Sequence, residues 1–121
     1  MKEMEKDRVS GGEVEKAFWM LSSEEREAVI SHGVALRLSD LRKRLFLAES
    51  KVRYLEEKYG TTLARVEIQG LPDNANYDVH EDYVMWRHWG AVTEKTRKDI
   101  ALLEKIAERG LRLGESAHAG H

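Results

Sequence analysis

The chain has 121 residues, of which 35% are charged and 41% hydrophobic, with 20 basic against 22 acidic side chains. This length suits one domain of about 100–150 residues, and so balanced a charge gives no global pull toward nucleic acid or an anionic membrane. The lack of cysteine excludes a disulfide framework and a thiolate zinc site. No apolar run approaches the roughly 20 residues that span a bilayer, and the start MKEMEKDRVSGG lacks the apolar centre of a signal peptide. We therefore expect a cytoplasmic protein without membrane contact. A single proline leaves long helices uninterrupted, so the expected class is all-α.

Residues 1–12 are charged, end in Ser-Gly-Gly and show no periodicity, which reads as a disordered arm. One helical domain is expected over residues 13–110. It opens with Val14, Ala17, Phe18 and Leu21 at helical spacing, a short amphipathic helix that must dock on something larger. Ser22 and Glu25 form a capping-box pattern for a second short helix, and Gly33 offers a left-handed stop, so a break is expected there.

Residues 34–39 alternate as a strand would, but a helix period takes over at Leu38. Leu38, Leu41, Leu45, Ala48, Val52, Leu55 and Tyr59 recur at spacings of 3 and 4. Such a heptad row makes one narrow apolar stripe, stable in water only when a second helix covers it. Gly60 should end this helix at Tyr59. Short turns capped by Thr61 or Thr62 follow, then a reversing loop through Gly70, Pro72 and Asn74.

The partner helix is expected to start at Asp78 with Glu81 in the capping position. Val79, Tyr83, Met85, Trp86, Trp89 and Val92 share a wide apolar arc, continued by Ile100, Leu103 and Ala107, while Thr93 and Thr96 interrupt it. Gly110 is the expected stop and residues 111–121 a disordered tail. The resulting architecture is an antiparallel hairpin of two long helices with a coiled-coil-like seam, carrying one or two short N-terminal helices. Phe46, Leu47, Tyr54, Leu102 and Ile106 lie outside the seam, so a homo-oligomer is expected.

No residue set specifies catalysis, a cofactor or a metal. His80 and His88 are eight positions apart, so neither has a histidine partner at the 3- or 4-residue offset that one helix face requires. Arg26 and His32 have the Arg-x5-His spacing that resembles the RNase motif of the HEPN superfamily, yet six residues turn a helix by about 600° and point the two side chains about 120° apart. Two binding surfaces remain. Tyr83, Met85, Trp86, Arg87 and Trp89 combine aromatic rings with an arginine, as binding hot spots do. Arg37, Arg42, Lys43 and Arg44 form a basic stretch suited to phosphates; after a strand at residues 34–39 it would resemble the start of a ribbon-helix-helix DNA-binding autoregulator.

The strings RLSDLRKRLFLAESKVRYLEEKYGTTL, GLPDNANYDVHEDYVMWRHW and IALLEKI resemble a family of small prokaryotic, largely archaeal, helical proteins, and the resemblance covers about residues 21–106. Its members are described as uncharacterised or as the antitoxin components of toxin–antitoxin pairs. The resemblance implies a non-catalytic protein–protein interaction module that silences a partner toxin of RNase type. It supplies no established site residues. DNA-binding autoregulation and a structural dimerisation module are the alternatives.

Overall fold

The computed structural model describes residues 11–119, with side chains for residues 11–109. The described residues are all-helical and contain no strand: α1 is Gly11–Met20, α2 Ser23–Tyr59, α3 Leu63–Gln69 and α4 Tyr77–Ala119. The chain divides into two compact units. One holds the chain up to Leu36 together with the chain from Glu104, and the other is Arg37–Leu103.

In the first unit, Ser22 opens α2 as its sequence pattern suggests, its Oγ accepting from the Glu25 N–H at 3.2 Å. Arg26, 3% exposed, holds the α1–α2 joint. Its Nη1 donates to the carbonyls of Trp19 and Leu21, and its guanidinium lies 5.2 Å from the Trp19 ring centroid. Arg26 is therefore a structural tie between two helix ends, while His32 is exposed on α2.

Two expectations fail here. Gly11 and Gly12, assigned to the arm, already belong to α1, whereas residues 1–10 lie outside the described ones. The break at Gly33 is absent, because α2 runs through it for 37 residues. Among the described residues positive φ occurs only at Gly60 and Gly70, so Gly33 takes ordinary helical geometry. A helical glycine costs about 1 kcal/mol relative to alanine, too little to stop a helix whose neighbours Val34 and Leu38 are buried. Residues 34–39 are helix, which removes the strand that the ribbon-helix-helix alternative needs.

The second unit pairs residues 37–59 of α2 with residues 77–103 of α4. Lys58 bridges Asp82 at 2.7 Å and Glu49 bridges Arg97 at 2.6 Å, so contacts that move back along α2 move forward along α4. The expected α2 row is buried or half-buried at every position, with Leu41 2%, Ala48 0% and Leu55 5% exposed. The α4 row is Val79, Asp82, Trp86, Trp89, Thr93, Thr96, Ile100 and Leu103, again at spacings of 3 and 4. Thr93 and Thr96 thus continue the row rather than interrupting it. The Thr93 hydroxyl donates to the Trp89 carbonyl at 2.8 Å, which satisfies it within its own helix. Ala48 and Thr96, each beside a residue of the Glu49–Arg97 bridge, are small where the helices meet.

Gly60, with φ of 62°, ends α2 as expected. Thr62 caps α3 by accepting from the Arg65 N–H, and Gly70 closes it with its N–H on the Val66 carbonyl at 2.7 Å. The cap of α4 is Asn76, whose Oδ1 accepts from the Val79 N–H at 3.0 Å, and not Asp78. Both residues can cap, but the first helical turn begins one residue earlier, at Tyr77. The helix also continues past Gly110 and Gly114 to Ala119, where the sequence suggested a stop and a tail. Residues 120–121 lie outside the described ones.

The path of α2 sets opposite outcomes for two glycines. Nothing lies within 4 Å of a Cβ built on Gly33, so Gly33→Ala should stabilise the protein by about 0.5–1 kcal/mol in chemical denaturation. Gly60→Ala should lose about 1 kcal/mol or more because alanine resists positive φ. A destabilising Gly33→Ala would restore the break. In the same assay Leu55→Ala should cost about 2–5 kcal/mol by opening the seam.

Candidate interaction surface

The aromatic group expected to form one binding patch is divided among different duties. Trp86 is 2% exposed and stacks on Tyr59 with ring centroids 5.8 Å apart and planes 22° apart. It belongs to the seam and offers no surface to a partner, a correction that follows from the row Val79, Asp82, Trp86, Trp89. Tyr83 and Arg87 face α3: the Tyr83 hydroxyl donates to Glu67 at 2.7 Å, and Arg87 Nε lies 3.4 Å from the same carboxylate. The Arg87 guanidinium also sits 5.8 Å from the Tyr83 ring centroid. These contacts hold α3 against α4.

Met85 is 44% exposed and Trp89 is half-buried, with His88 edge-on to the Trp89 ring at 5.0 Å. Because two residues turn a helix by about 200°, Met85 and Arg87 point to nearly opposite sides of α4. The five side chains do not make a single patch.

Asp82 occupies a seam position in place of an apolar residue. Lys58 and the Tyr59 hydroxyl both donate to its Oδ2, which makes a partly covered carboxylate tolerable. The hydrogen bond from Lys58, then that from Tyr59, pulls the Asp82 carboxyl below its ordinary pKa. The same bond to Asp82 raises Lys58, and likewise raises the Tyr59 phenol. Hydrogen bonds to carboxylates raise two further phenols, Tyr77 through Glu81 and Tyr83 through Glu67.

The basic stretch is exposed at Arg37, Arg42, Lys43 and Arg44. Among the described residues Lys43, Arg44, Lys51 and Arg53 form no ion pair. Between them, on the side of α2 turned away from its seam row, stand Phe46, Leu47 and Tyr54, exposed by 71%, 47% and 61%. At about 100° per residue these three fall within an arc of about 100° that Lys43 and Ser50 share, with Arg42 and Arg53 along one edge and Arg44 and Lys51 along the other. The face therefore combines exposed apolar side chains with cations. Its apolar residues were visible in the sequence as a surplus beyond the seam; their alignment between two rows of cations needed the helix axis. No set of histidine or acidic side chains among the described residues could hold a metal ion.

The Asp82 group sets a pH window. Its depressed pKa contributes stability above the unfolded value near 4, which is lost as pH falls through the folded value. Lys58 and Tyr59 are raised, so their contribution is present below their ordinary values of 10.5 and 10.0 and is lost as pH rises through the folded ones. Thermal melts should be flat between about pH 5 and 9 and fall on both sides. Asp82→Asn should lower the plateau and flatten both limbs; unchanged limbs would remove the triad from the stability of the fold.

No protein-family model, curated protein or solved structure matches this chain.

Proposed function

We propose that the chain is a non-catalytic interaction module of antitoxin type, built as an antiparallel hairpin with a coiled-coil-like seam, that docks on a partner toxin through the outer face of α2. The observation that carries this reading is the exposure of Phe46, Leu47 and Tyr54 between rows of cations. Large apolar side chains held in water on a rigid helix supply contact area at low ordering cost. The cations then select a partner whose complementary patch is apolar with carboxylates at its rim. The resemblance to antitoxin components gives the direction, with an RNase-like toxin as partner. Self-association through the same strip would set Lys and Arg against Lys and Arg, so a homo-oligomer is better served by other apolar residues such as Val84 and Leu102, exposed by 62% and 58%.

A second reading, DNA binding by Arg37, Arg42, Lys43 and Arg44, keeps the support of the exposed cations. It gives no use to Phe46 and Leu47, since phosphates do not reward apolar contact.

The test is co-expression with the product of the adjacent reading frame. Phe46→Ser combined with Tyr54→Ser should change stability by no more than about 0.5 kcal/mol per site yet lose the co-purified partner. Full retention by the folded variant would exclude this face as the interface. Binding of a 20-base-pair duplex that is abolished by Lys43→Gln with Arg44→Gln, and unaffected by the Ser variant, would favour the DNA reading.

A further inference from the structure

Two concavities flank α3. The larger, about 630 Å³, has Glu49, Glu56, Glu67 and Glu94 against Arg53 and Arg97 in its lining and opens widely to solvent. The smaller, about 280 Å³, is walled by Val66 of α3, Leu71 and Pro72 of the following loop, Val79 and Tyr83 of α4, and the Tyr59–Trp86 stack, with Thr61 and Gln69 as its polar side chains. We infer that this smaller cavity is a binding site for a small uncharged aromatic molecule carrying a hydrogen-bond acceptor.

Size, rigidity, charge and polarity lead to that class. The volume sits at the lower edge of the roughly 300–1,000 Å³ of ligand pockets, enough for one or two rings. The walls are held before any ligand arrives: Tyr59 is fixed by its bond to Asp82 and its stack on Trp86, and Tyr83 by its bond to Glu67. Each of these carboxylates also faces a cation, Lys58 beside Asp82 and Arg87 beside Glu67, so the frame is balanced pair by pair. An ionic guest would enter a largely apolar space without an uncommitted counter-charge. Three aromatic side chains in the lining favour a flat ring. Both phenol hydrogens are already donated and the indole Nε1–H of Trp86 is shut off from solvent, whereas the Thr61 hydroxyl and the Gln69 carboxamide in the lining make no side-chain hydrogen bond. An acceptor on the guest can take the donors of these two side chains, and that accounts for the polar feature assigned to the ligand.

The probe is acetophenone, a ring with one carbonyl, titrated into the full ¹⁵N-labelled chain. Saturable shifts are expected at the Trp86 indole N–H and at the Val66 and Leu71 amides. Toluene, which lacks the acceptor, and the charged analogues benzoate and benzylamine should each bind at least tenfold more weakly. Leu71→Trp, which fills the space, should weaken acetophenone at least tenfold while the spectrum stays folded; Val66→Phe serves if that variant unfolds. No saturable shift at Trp86 would overturn the inference. So would equal affinity for benzoate or benzylamine, or unaltered binding in the folded filled variant, and toluene binding as well as acetophenone would overturn the acceptor.

Discussion

Two rows of apolar and small side chains, spaced 3 and 4 residues apart along α2 and α4, must stay in register for the Arg37–Leu103 unit to form. Strength comes from Leu41, Leu55 and Trp86, each at most 5% exposed. Register comes from polar chemistry. Asp82 needs both Lys58 and Tyr59, and a slip of one heptad would put Lys51 and Val52 in their places. The cation would survive the slip, while the phenol donor and the stack on Trp86 would be lost. A polar group in a helix seam commonly specifies alignment at some cost in stability, and Asp82 fits that pattern.

Periodicity and local caps could be read from the residues alone. The Leu38-to-Tyr59 row, the Ser22 and Thr62 caps and the stop at Gly60 depend on neighbours within one turn, and each appears as its spacing suggests. The failures come where two local signals compete. Gly33 carries the residue type of a helix stop, but its meaning depends on whether the flanking rows are buried. Asn76 and Asp78 are equally good caps, and the choice rests on which backbone N–H groups reach the side chain. Thr93 and Thr96 look like gaps until the backbone carbonyl that takes up the Thr93 hydroxyl is in view.

The candidate surface was legible in part for a related reason. An aromatic cluster in a sequence carries no statement of direction, and Trp86, Arg87 and Met85 are adjacent in sequence yet point to three sides of α4. The side chains that share a sector, Phe46, Leu47 and Tyr54, are scattered over nine residues among lysines and arginines, where a basic helix face is the simpler reading. Glu67 was silent because its partners Tyr83 and Arg87 are 16 and 20 positions away. Contacts over such distances come from the fold and leave no local pattern.

Gly90 gives the short helix α3 a particular standing. A Cβ there would meet the end of the Leu63 side chain at 3.0 Å, so any side chain at position 90 would make Leu63 give by a few tenths of an ångström. With seven residues and none buried, α3 is far too short to persist alone. Its order is borrowed from that close approach and from Glu67. Opening of α3 is therefore the least costly local unfolding event of this unit, well below the cost of parting the two long helices. The frequency of that opening, read as amide hydrogen exchange over residues 63–69, measures how much of its order α3 borrows from α4.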